Sequence, residues 1–201
     1  MNRTNFIYLI VFVFVSGLLF SFQSKETRNE NYALDKTIIQ VVKAFKEKDT
    51  TTLNNLILKE KGLVVLFRRG VFNEYSKIDK IDFDNPVPEY LPYVDFIADY
   101  KLNFNSLPTF DCNSMKWSKN GLYCDTTTID NLLSRTARNL KKYREDIISE
   151  PEIKGFEKLE NSSRRIVLSD SDEGELIFYL TLINKKWYLT ILDRVSSDCS
   201  V

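Results

Sequence analysis

The chain has no histidine among its 201 residues. That absence excludes Ser-His-Asp and Cys-His nucleophilic catalysis, His-ligated zinc and a histidine-based pH switch. Cysteine is scarce: Cys112, Cys124 and Cys199 are too few for a four-cysteine zinc site. Glycine is scarce too, with six residues at positions 17, 62, 70, 121, 155 and 174. That scatter builds no phosphate-cradling loop and no G-x-S-x-G elbow. Net charge is also lacking, because 28 Lys and Arg balance 28 Asp and Glu. A general nucleic-acid binder needs a basic surface, so nucleic acid is not an expected partner.

What is present is core material. Apolar residues make up 43% of the chain and aromatics 13%, which excludes wholesale disorder. The length suits one domain with extra segments. Residues 1–24 carry Arg3 and then an uncharged run, Phe6 to Phe22, rich in Phe, Ile, Val and Leu. This pattern fits a secretory signal peptide. The alternative is an uncleaved anchor over residues 6–22, since 17 uncharged residues stand at the lower edge of a membrane span. Export to the periplasm or the outside follows from the first reading, membrane tethering from the second. Removing residues 1–24 takes away one Arg and no acid, so the exported domain keeps a near-neutral balance.

Residues 25–32 read as a linker and 33–201 as a single α+β domain. Leu34, Ile38, Val41, Val42 and Phe45 predict a helix over Ala33–Lys48. Asp49 or Thr50 can cap a second short helix that stops at Gly62. Leu63–Phe67 predicts a buried strand, Ser76–Pro88 mostly loop with an edge strand, and Tyr93–Phe104 a strand. Cys112–Thr126 reads as a hairpin turning at Asn120-Gly121. A long helix is expected from Ile129 to Ile147, with caps among Asp125–Thr128. Its other face is a basic stripe of Arg135, Arg138, Lys141, Lys142 and Arg144, read as a solvated surface. The last third reads as strands over Ile166–Leu168, Glu175–Ile183 and Trp187–Asp193.

Candidate chemistry is sparse. The acidic turn Asp170, Asp172, Glu173, Glu175 lacks the fifth and twelfth ligands of a calcium loop, where Gly174 and Thr181 stand. No catalytic residue, metal site or cofactor is singled out. A disulfide between Cys112 and Cys199 is preferred, because a Cys112–Cys124 bridge needs a displaced hairpin register. In the last hairpin a two-residue Asn184-Lys185 loop pairs Thr181 with Tyr188 and Tyr179 with Thr190. Those four share one face, opposite Phe178, Leu180, Leu182, Trp187, Leu189 and Ile191. Tyr179, Thr181, Tyr188 and Thr190 are therefore the ligand-pocket candidates, with a semi-exposed sheet surface as the plainer alternative.

Two stretches carry a family resemblance. Ile38-Ile-Gln-Val-Val-Lys-Ala-Phe-Lys-Glu-Lys-Asp-Thr50 with Leu53, and Leu180-Thr-Leu-Ile-Asn-Lys-Lys-Trp-Tyr-Leu-Thr190, resemble the opening helix and closing strand of NTF2-like (cystatin-like) domains. Small exported proteins of uncharacterised Bacteroidetes families look similar. The resemblance implies a curved antiparallel sheet forming a cone around a pocket, packed on two N-terminal helices and one long helix. Enzymatic members pair an Asp with a His or a Tyr, and the first arrangement cannot exist here. The expected function is a non-catalytic envelope domain that binds a small molecule or an envelope protein, with a homodimer left open. The alternatives are a His-independent Asp/Tyr enzyme and a membrane-tethered interaction domain.

Overall fold

The structure is a computed structural model that describes residues 29–95, 99–143, 148–170 and 174–200. The chain divides into two compact units, Met1–Lys36 and Thr37–Val201. In the first, residues 29–36 are helical. Segment 1–24, with its apolar run, lies outside the described residues. Among the described residues no helix is long and apolar enough to cross a membrane.

The second unit opens on helical residues 37–46 (α1). Ile38, Val41, Ala44 and Phe45 are buried on one stripe, as the spacing predicts. Lys48 then takes a positive φ of 53°, which ends the helix. Asp49 accepts from the Thr52 backbone N–H and caps α2 (Thr50–Asn55). Gly62, at φ +71°, turns the chain into β1 (Leu63–Arg69). A Cβ there would sit 2.9 Å from the Ile78 carbonyl oxygen, so only glycine fits.

β2 (Phe72–Ile78) folds back on β1 as an edge strand. After a long loop come β3 (Leu102–Asn103), β4 (Phe110–Asp111), β5 (Lys116–Trp117) and β6 (Gly121–Asp125). Then follow α3 (Leu132–Lys141), α4 (Glu150–Asn161), β7 (Ser163–Asp170), β8 (Gly174–Ile183) and β9 (Lys186–Asp193). The α+β class is therefore as expected. Among the described residues the main sheet has seven strands in the order β2-β1-β9-β8-β7-β6-β3. Two of its pairings, β1–β9 and β3–β6, are parallel. The expected antiparallel cone is thus corrected to a mixed sheet that is neither closed nor curled.

Three other expectations change. Tyr93–Phe104 forms only the two-residue β3 among its described residues; 96–98 lie outside them. Asn120-Gly121 is a corner, not a hairpin turn: β5 pairs back onto β4, while β6 pairs with β7. The expected long helix starts late, because the Asp125 carboxylate accepts from Thr127 and Thr128 and closes a local turn. Those bonds, the Thr127 side chain's first, hold its pKa down at about 2. Beyond Lys141 a separate helix follows, capped by Ser149 with Pro151 in its first turn. Ile147 and Arg144 lie outside the described residues. The basic face of α3 is partly neutralised: Arg138 pairs with Glu157 and Lys141 with Glu150, both acids on α4.

Glu160 fixes α4 to α3. Asn131, at the N-terminus of α3, makes no side-chain capping bond. The Glu160 carboxylate fills that role from the neighbouring helix, accepting from Leu133 N–H at 2.7 Å and Ser134 N–H at 3.3 Å. Glu160 is only 2% exposed, and burial raises its pKa despite those bonds. A carboxyl raised on folding stabilises fully below its unfolded pKa and loses that contribution as pH rises through the folded value. Glu160→Gln should therefore flatten the fall in stability as pH climbs above the ordinary glutamate range. Glu160→Ala should cost about 1–3 kcal/mol at every pH by orphaning two N–H groups. Urea unfolding of both variants across pH 4–8 checks this, and an unchanged pH slope in Glu160→Gln would refute it.

Candidate functional site

The β8–β9 hairpin holds the residues expected to line a pocket. Its turn is as predicted: Asn184 and Lys185 take positive φ of 49° and 64°, and Thr181 faces Tyr188. The next pair differs. Tyr179 faces Ile191, not Thr190, because a bulge lies between Tyr179 and Leu180 and leaves Thr190 as the extra residue. The bulge swings Ile191 onto the Tyr179 side, where both join a core with Val64, Leu66, Leu132 and Leu133. Tyr179, Thr181 and Thr190 are all buried, whereas Tyr188 is half-buried with Lys186 Nζ 4.9 Å from its ring centroid.

Tyr179 ends in a polar cluster that sequence reasoning did not assemble. Its hydroxyl donates to Asp130 Oδ2 at 3.0 Å. Arg165, opposite Tyr179 on β7, places Nε 3.4 Å from the same oxygen. Arg165 Nη2 donates to Asp193 Oδ2 at 2.9 Å and to Ser196 Oγ at 2.7 Å. Ser196 in turn donates to Asp193, whose other oxygen takes the Val195 and Ser196 N–H groups. The Asp193 side chain is fully buried, so its charge is held by Arg165 and these donors. Burial drives the Tyr179 pKa well above its ordinary value, against the pull of Arg165. An Asp/Tyr pair used for proton transfer near neutral pH needs a shift in the other direction. The cluster locks β7, β8 and β9 together.

A second feature starts at the bulge. Ser163 Oγ donates to the Leu159 carbonyl at 2.8 Å. Ser163 and Thr181 hydroxyls lie 2.6 Å apart, and so do those of Thr181 and Thr190. Three contacts need three hydrogens, and three hydroxyls supply them in one order only. Ser163 donates to Leu159, Thr181 to Ser163, and Thr190 to Thr181. The 3.5 Å approach of Thr190 to the Tyr179 carbonyl is too long to compete. Thr190 therefore has no hydrogen left to offer and can only accept.

Thr190 lines the sheet side of a cavity of about 240 Å³ beneath α4. Val64, Phe156 and Leu159 give it apolar walls, and Glu152, Lys61 and Lys77 add charge. Glu152 Oε1 accepts from Tyr75 Oη at 3.1 Å, and burial followed by that carboxylate raises the tyrosine pKa. No ion pair engages Lys61, Lys77 or Glu152 among the described residues. The Lys77 stem lies over Gly62, where a Cβ would come within 3.0 Å of Cε. Of the four expected pocket residues, the structure brings Thr190 alone to this cavity. α4 was missed in the sequence, although Ser149-Glu-Pro-Glu152 is a capping signature and Ile153, Phe156 and Glu160 recur at helical spacing.

The preferred disulfide is present: Cys112 and Cys199 are bonded, with Cα atoms 5.6 Å apart. Cys124 stays outside it, buried in β6. Among the described residues no group of three Cys, Asp or Glu could hold a metal ion. Asp172 and Glu173 of the acidic turn lie outside them. Compared with protein-family models, curated proteins and solved structures, the chain matches none.

Replacing Arg165 by Leu should cost about 3–5 kcal/mol, because Asp193 would keep its burial and lose its cation. Equilibrium unfolding in urea measures it. A cost below about 1 kcal/mol would show that Asp193 is satisfied by Ser196 and the backbone alone.

Proposed function

We propose that this chain is an exported, non-catalytic binding domain that holds a small ligand in the cavity beneath α4. One observation carries the reading. Gly155 sits exposed in the middle of α4, has no left-handed φ, and, its own helix's backbone aside, has no atom within 4 Å of where a Cβ would stand. Neither backbone conformation nor close packing calls for a glycine there, and mid-helix glycine costs about 1 kcal/mol relative to alanine. What the missing side chain does provide is an open wall, since Gly155 lines the cavity.

The volume limits the guest. About 240 Å³ is below the roughly 300–1,000 Å³ of sites that enclose drug-sized molecules, so the guest is metabolite-sized. Lys61 and Lys77, exposed and without an ion-pair partner among the described residues, favour a ligand with an anionic group, and the walls favour an apolar body. Export is supported by the N-terminal sequence pattern and by a disulfide compatible with an oxidising compartment.

Gly155→Ala should stabilise the protein by about 0.5–1 kcal/mol. Gly155→Leu should fill the cavity and abolish ligand binding without unfolding the chain. Thermal-shift screening of a panel of small carboxylates against the parent protein and Gly155→Leu tests this. Compounds that stabilise both proteins equally would place binding elsewhere.

A further inference from the structure

The cavity sorts its polar groups by sign. Lys61 and Lys77 can only donate, and among the described residues neither has an ion-pair partner. Glu152 can only accept, and Tyr75 is its sole side-chain donor among the described residues. Thr190 can only accept, because its hydrogen is committed to Thr181. The hydroxyl of Tyr75, which might have supplied a neutral donor, is committed to Glu152. The apolar surface of Val64, Phe156 and Leu159 accompanies both sets.

A simple carboxylate would satisfy the lysines and leave Glu152 with Tyr75 and solvent as its only donors. A simple amine would satisfy Glu152 and meet two cations. We infer that the cavity takes a zwitterion of the amino-acid type, its carboxylate toward Lys61 and Lys77, its ammonium toward Glu152 and Thr190, and its apolar side chain against Phe156. This rests on the cavity reading above and narrows it to one ligand class. Two lysines against one glutamate make the carboxylate the attracting end. The glutamate then discriminates, because a site built to receive a donor rejects analogues that lack one.

Three probes isolate the two charges on one apolar body: L-phenylalanine, 3-phenylpropionate and 2-phenylethylamine. Calorimetric titration of the full chain, with its disulfide formed, should show L-phenylalanine binding at least about tenfold tighter than either analogue. Glu152→Gln, close to isosteric and still able to accept from Tyr75, should bring L-phenylalanine down to the level of 3-phenylpropionate. Thr190→Val should weaken L-phenylalanine more than 3-phenylpropionate and provides a second reading should Glu152→Gln fold poorly. Equal binding of L-phenylalanine and 3-phenylpropionate, or a preference that survives both variants, overturns the zwitterion and leaves the cavity standing. Failure of all three probes to bind, or binding unchanged in Gly155→Leu, overturns the cavity reading and the zwitterion with it.

Discussion

Glu160 is the constraint on which the packing of the two helices α3 and α4 depends. It is a buried carboxylate on one helix that satisfies the orphan N–H groups of another. Because α3 lacks a side-chain cap of its own, its first turn is completed only when α4 is docked. Docking α4 in turn sets Phe156 and Leu159 against the sheet core and brings Glu152 and Gly155 above Thr190. The ion pairs Arg138–Glu157 and Lys141–Glu150 lie on the same helix interface but are half-exposed, so each adds little by comparison. The zero net charge of the chain conceals this pairing of a basic helix with an acidic one.

The sheet has its own polar centre, and the two centres differ in kind. Arg165 and Asp193 are held by fixed partners on every side. They give the hairpin a fixed relation to the tail. The cavity groups are the opposite. Lys61, Lys77 and Glu152 are more open to solvent and have unspent hydrogen-bonding capacity. One cluster is saturated by protein partners and the other leaves its polar groups to solvent.

Local signals were legible where one residue decides the geometry. Asp49 caps, Asn184-Lys185 turns, and Thr181 meets Tyr188 as the loop length requires. The Thr190 bulge was not legible, because Leu189, Thr190 and Ile191 are all buried and an apolar run does not show where one residue is skipped. Asn120-Gly121 carries the strongest short hairpin signal, yet it marks a corner. Turn chemistry fixes the bend, and pairing partners far along the chain fix what the bend connects. α4 was hidden by Gly155, which interrupts the helical pattern where the helix borders the cavity. Of the four residues read as a pocket wall, Thr190 alone lines the cavity, while the bulge gives its expected partner Tyr179 to Ile191.

The position of β9 has a consequence for the order of assembly. It is the last strand among the described residues, yet it lies inside the sheet, between β8 and β1, and runs parallel to β1, with Ile191 beside Val64. A chain that emerges from its N-terminus forms the β1–β2 hairpin first, with one long edge of β1 unpaired and its apolar residues uncovered. That edge must wait for almost the whole remaining sequence before β9 covers it. Until then the growing chain presents a strand edge open to pairing with other chains, so a partner that shields β1 during synthesis would act on yield before it acted on stability.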